Sequence, residues 1–106
     1  MKRQYLYLNA DFKLILSIDP IAGLNMTDYD FSVELYATTA KKLKIKKSEM
    51  TELAKDQYLL IGNTTSIGIG DVMCMVTAMV PEADFPGTTR IEVSGFDTGI
   101  TILRRV

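Results

Sequence analysis

The chain has 106 residues and a mass of 11.8 kDa, the size of a single domain over residues 1–106. Lys plus Arg is 12 and Asp plus Glu is 13, with no His, no Trp and one Cys. This excludes a Ser-His-Asp triad, an imidazole metal site and a disulfide within the chain, and it argues against nucleic-acid binding driven by bulk charge.

The start, Met1-Lys2-Arg3, has the charge of a signal peptide, but Asn9, Asp11 and Lys13 interrupt the next residues, so no apolar leader core forms. No run approaches the ~18–20 apolar residues of a membrane helix. The expectation is a chain made and folded in a reducing cytoplasm, with Cys74 a small buried hydrophobe among apolar neighbours.

Residues 5–8 could form a first short strand. Phe12, Leu14, Leu16 and Ile18 then alternate with Lys13, Ser17 and Asp19, with Ile15 the exception, which predicts a half-buried strand. Asp19-Pro20 and residues 23–25 supply turn chemistry. In residues 30–37, Phe31, Val33, Leu35 and Ala37 face one way and Asp30, Ser32, Glu34 and Tyr36 the other. In residues 42–47, Leu43 and Ile45 alternate with lysines, the pattern of an edge strand guarded by charge.

Residues 48–55 place Ser48 before good helix formers, with Met50, Leu53 and Ala54 at helical spacing. A short helix here competes with a strand connection. Residues 57–61 read as a strand, and residues 62–70 as turn-rich. Residues 71–80 are almost wholly apolar. Helix and strand compete there too; Val72, Val76 and Val80 favour a central strand buried on both faces. Pro81 ends it. After a loop at 82–87, Thr89, Ile91 and Val93 alternate with Arg90, Glu92 and Ser94. A turn over 95–99 then leads to a last short strand at 100–103. The total is about seven or eight strands with turn signals every 8–12 residues, which predicts an all-β antiparallel sandwich of immunoglobulin-like type. The alternative is an α+β domain with a short helix near 48–55.

Sites of known chemistry are sparse. Gly68-Ile69-Gly70-Asp71 lacks the third glycine of a dinucleotide fingerprint and the Lys of a phosphate loop, so it reads as a tight turn. Asp11, Asp19, Asp28 and Asp30 have no calcium-loop spacing and suit strand ends. No metal, cofactor or catalytic residue is expected, and the chain reads as a non-enzyme. The one local charge extreme is five lysines in residues 41–47. Lys42, Lys44 and Lys46 form a candidate interaction patch for an anionic partner, against the plainer reading of a solvated edge. Met73, Met75 and Met79 share one parity, as core filling or as an adaptable subunit interface.

Several segments carry a family resemblance. They are Asp11-Phe12-Lys13-Leu14, the run from Asp28 to Tyr36 (DYDFSVELY), Ile67-Gly68-Ile69-Gly70-Asp71, and the run from Val80 to Gly87 (VPEADFPG). Over about residues 10–103 the chain resembles the N-terminal immunoglobulin-like domain of baseplate upper and tail-fibre proteins of tailed phages and prophages of gut bacteria. Those proteins continue into an oligomerisation or receptor-binding region, whereas this chain stops at Val106. The resemblance implies a structural or assembly module without enzymatic activity. Its partners would be other virion or tail subunits and further copies of itself, with no nucleic acid and no membrane. It would be cytoplasmic before assembly and in the virion afterwards. The alternative is a small module binding carbohydrate or peptide at the loops of one sandwich end, weakened for sugars by the absence of Trp.

Overall fold

A computed structural model describes residues 3–18, 29–38, 40–85, 87 and 89–104. Among the described residues, eight strands form in chain order: β1 (Gln4–Tyr7), β2 (Asp11–Ser17), β3 (Asp30–Tyr36), β4 (Leu43–Lys46), β5 (Thr51–Ala54), β6 (Gln57–Asn63), β7 (Gly70–Pro81) and β8 (Thr89–Leu103). One sheet has the order β1-β8-β7-β3-β4 and the other β2-β6-β5. This is the immunoglobulin strand order, with the second, fifth and sixth strands packed against the rest. All pairings are antiparallel except β1 with β8, which run parallel.

The expected alternation builds the core. Phe12 and Leu16 point inward from β2, and Phe31, Val33 and Leu35 from β3. They meet Tyr58 and Leu60 of β6 and Val72, Cys74, Val76 and Ala78 of β7. Phe31 and Tyr58 join the sheets through an edge-to-face contact, with centroids 5.0 Å apart and planes at 74°. Gly62 stands opposite Phe12, and a Cβ there would lie 3.0 Å from the ring and 2.9 Å from Leu43, so the missing side chain is what lets the ring cross β6. A gap of ≈ 10 Å³ among Phe12, Leu35, Val72 and Ile102 is too small for any ligand.

One alternative and two expectations are overturned. No helix forms near 48–55. A single 3-10 turn, Lys47–Glu49, gives way at Met50 to extended backbone and then to β5. The Glu49 carboxylate accepts the Lys46 N–H at 2.9 Å, closing the turn locally, and Met50 packs on the core. The β5–β6 hairpin then turns at Lys55 and Asp56, with Asp56 at φ 59°, a conformation aspartate tolerates.

Second, β7 is buried on one face only. Val72, Cys74, Val76, Ala78 and Val80 are buried, while Met73 and Met75 are half-exposed and Met79 is exposed. Apolar composition alone could not separate these, because the outward set is methionine rather than charge.

Third, residues 95–99 do not break the chain into two strands. β8 runs through, and the two-residue register shift opposite Val72 and Met73 is a bulge. Gly99 takes φ 80° there, Thr98 Oγ1 donates to the Val72 carbonyl at 2.7 Å, and Asp97 Oδ1 accepts the Gly99 N–H at 2.8 Å. Gly99→Ala should cost about 1–2 kcal/mol, the usual penalty for a side chain in left-handed backbone. Chemical denaturation would check this, and an unchanged midpoint would contradict the bulge.

The turn signals at Asp19-Pro20 and 23–25 lie outside the described residues. The expected tight turn at Gly68 and Gly70 is present, with φ 97° and 129°. The molecule is long, 53 × 29 × 24 Å, because β7 and β8 form a ribbon of 12 and 15 residues. Its surface of 6658 Å² accordingly exceeds the about 6,000 Å² expected for a rounder chain of this mass.

Candidate functional site

The lysine cluster lies on the edge strand β4, as its alternation implied. Ile45 turns inward, and Lys44 and Lys46 stand on the outer face opposite Glu34 and Ser32 of β3. Lys42 precedes the strand, with Nζ 3.5 Å from Glu34 and 5.8 Å from the centre of the Tyr36 ring. Lys41 donates weakly to the Thr65 carbonyl at 3.4 Å, and Lys47 donates to the Tyr29 carbonyl at 2.7 Å while lying over the Phe31 ring. Three of the five lysines therefore meet acceptors of this chain. Among the described residues, the side chains of Lys44 and Lys46 enter no ion pair. They border an open depression of ≈ 410 Å³ shared with Asp30, Ser32, Ser48 and Met79. It carries both signs of charge, so it is a mixed surface rather than a concentrated cationic site.

The methionine parity faces outward and joins other apolar side chains. Met79 pairs with Ile91 and Thr77 with Val93 across β7 and β8, and Ile91 and Val93 are 65% and 55% exposed. The opposite sheet shows a second outward apolar group. Ile15, the exception to the β2 alternation, is 60% exposed and lies near Leu59 and Ile61 of β6. Tyr5 and Tyr7 are exposed on β1, side by side on one short strand rather than across a cleft.

Alternation in residues 89–94 did not say which parity faces the core. The structure turns Arg90, Glu92 and Ser94 toward the inner side, opposite Val80, Ala78 and Val76. Arg90 lies 2.8 Å from Glu82 and 2.6 Å from Glu92. Beside this stretch a groove of ≈ 400 Å³ opens between the sheets, over Ser17, Ile18, Val76, Ser94, Gly95 and Phe96. At the other end of β8, Arg3 pairs with Asp97 and donates to the Ile100 carbonyl at 3.0 Å. The Gly99 N–H and then the Arg3 guanidinium hold the Asp97 carboxyl below the usual carboxylate range.

Among the described residues, no group of three or more His, Cys, Asp or Glu side chains that could hold a metal ion occurs. Asp11 accepts from Asn63 at 3.0 Å, Asp30 lies opposite Met79 at the end of β3, and Asp19 and Asp28 fall outside the described residues. Cys74 is fully buried, and burial pushes its thiol up to about 12. Maleimide should leave the native protein unlabelled at neutral pH and modify it fully in denaturant; rapid native labelling would contradict this burial. No helix among the described residues is long and apolar enough to cross a membrane. Comparison with known proteins finds no matching family model, no matching curated protein and no matching solved structure.

Proposed function

We propose that this chain is a non-enzymatic assembly module that acts through its sheet surfaces. The observation that carries the reading is the outward apolar parity of β8, where Ile91 and Val93 stand in solvent along a strand margin. Exposing two β-branched side chains in a register that keeps Arg90 and Glu92 inward is a cost that a contact with another chain offsets. The sequence resemblance supports a phage or prophage tail or baseplate as the setting, with other tail subunits as partners and the virion as the final location. Lys44 and Lys46 add polar contacts at the far edge of the same sheet. Purified particles carrying the gene test this: the protein should sediment with the tail fraction at a fixed ratio to a tail subunit. Absence from particles, with no binding to any isolated tail subunit, would sink the proposal.

A second reading, a small peptide-binding module, draws on the groove beside Ser94, Gly95 and Phe96, where an extended peptide could add to the sheet margin. A carbohydrate ligand has less support, since Tyr5 and Tyr7 offer no cleft. A selective ligand on a peptide or glycan array, with no tail association, would favour this reading.

A further inference from the structure

Sheet margins on this molecule are not alike. The edge strand β4 carries Lys44 and Lys46, β5 is four residues long with a bulge between Glu52 and Ala54, and β2 carries Asp11 and Lys13. These are the usual devices against edge-to-edge pairing. β8 is different. β1 pairs only with its residues Ile100, Thr101, Ile102 and Leu103, so over residues 89–99 no described strand covers that side. This is the longest open margin among the described residues. It carries no lysine, and its outward side chains include Ile91 and Val93.

We propose that this margin pairs, antiparallel, with the same margin of a second copy of the chain, about a two-fold axis at Ile91. The inference rests on the assembly reading above and names its partner. Charge sets the register. Centred on Ile91, the pairing places Ile91 against its own counterpart, Arg90 against the second copy's Glu92, Glu92 against its Arg90, and Thr89 against its Val93. Centred on Glu92, it would set two carboxylates face to face, which cross-strand pairing disfavours. Centred on Val93, it would leave Arg90 opposite Phe96 and Glu92 opposite Ser94, with no charge matched.

The Ile91 register satisfies the local geometry as well. A guanidinium has five donors, so Arg90 keeps Glu82 and its own Glu92 while meeting the second carboxylate. Met79 lies beside Ile91 in the same sheet face, so the two copies join into one apolar row of Met79, Ile91, Ile91 and Met79. Each β8 then continues past the other's ribbon tip, away from β1, so the strand already paired at residues 100–103 is not displaced. An isologous contact of this kind closes on itself and stops at two copies.

Cysteine crosslinking reads the register directly. Opposed Cα atoms in an antiparallel pair lie about 4.5–5.5 Å apart, within disulfide reach. Ile91→Cys should therefore form a covalent dimer under mild oxidation, while the wild type, whose only thiol is the buried Cys74, should not. Val93→Cys should not crosslink, because the two copies of that position would be about 13 Å apart along the strands.

Arg90→Glu and Glu92→Arg should each weaken the dimer about tenfold or more in sedimentation equilibrium, and a mixture of the two should regain it as a heterodimer. Circular dichroism and the unaltered fold of the exposed-site variant Ile91→Lys separate lost pairing from lost folding; that variant should be monomeric and folded. A wild type that stays monomeric at its solubility limit, or a Val93→Cys dimer forming in preference to the Ile91→Cys dimer, overturns the proposal. A monomeric chain that still sediments with tail particles overturns it and leaves the assembly reading standing. A register-specific dimer that never enters a particle upholds it and removes the tail setting.

Discussion

Phe31→Ala will lower the unfolding free energy by about 3–5 kcal/mol, the range for truncating a buried aromatic. Phe31 is 1% exposed and sits on β3 in the larger sheet, while its edge-to-face partner Tyr58 sits on β6 in the smaller one. Truncation therefore opens a void at the junction of the two layers and removes a ring contact between them. Lys47 Nζ lies 5.4 Å from the same ring centre, so its packing loosens too. A domain of this size has about 5–15 kcal/mol of stability in total, so the variant should be marginal at room temperature. Denaturant titration measures it, with Ile15→Ala as an exposed control expected within about 0.5 kcal/mol of wild type. A loss near that of the control would mean that the sheets do not meet through Phe31.

Thr64→Val will cost about 1–3 kcal/mol with almost no change in shape, because it removes hydrogen bonds and leaves volume alone. Thr64 is fully buried just after β6. Its hydroxyl donates to the Tyr7 carbonyl at 2.9 Å and accepts the Ala10 N–H at 3.0 Å, while its own N–H donates to the Ala10 carbonyl at 3.0 Å. Its carbonyl accepts from the N–H groups of Ile67 and Gly68, each at 3.0 Å. One side chain thus ties the β1–β2 turn to the connection before β7. Valine would leave the Ala10 N–H and the Tyr7 carbonyl without that partner in a part-buried place. Thr64→Ser keeps the hydroxyl and should be clearly milder. Hydrogen exchange at the Ala10 amide should quicken in the valine variant and change little in the serine variant.

The strands that alternate cleanly were legible in the sequence. In β2 and β3 the apolar parity is the buried one, and Ile15 already stood out as the residue that broke the rule. β7 was legible as a strand but not as one-sided, since Met73, Met75 and Met79 have the composition of a core and the position of a surface. In β8 the difficulty was deeper. Alternation in residues 89–94 specifies a pleat but no direction, and the pairing of Met79 with Ile91 turns the apolar side outward. Tertiary register, which no local window contains, decided it. The helix alternative at 48–55 failed for a related reason: helical spacing of three residues means little when Met50 is already claimed by the core in extended backbone. As a site, the lysine run was legible in its place on an edge but not in its commitments, because Glu34, Tyr29 and Thr65 come from distant parts of the chain.

The parallel pairing of β1 with β8 bears on how the molecule carries load. In a parallel pair, the beginning of one strand and the end of the other lie at opposite ends of the ladder. Tension applied between residues before Gln4 and residues after Leu103 therefore runs along both strands and shears their hydrogen bonds together. A hairpin pulled open at its free end loses those bonds one at a time and yields at lower force. Arg3, clasping Asp97 and the Ile100 carbonyl at the head of the ladder, acts there as a rivet. Under stretching, this end of the sandwich resists as a clamp, and the β7–β8 ribbon behind it is spared until the clamp slips.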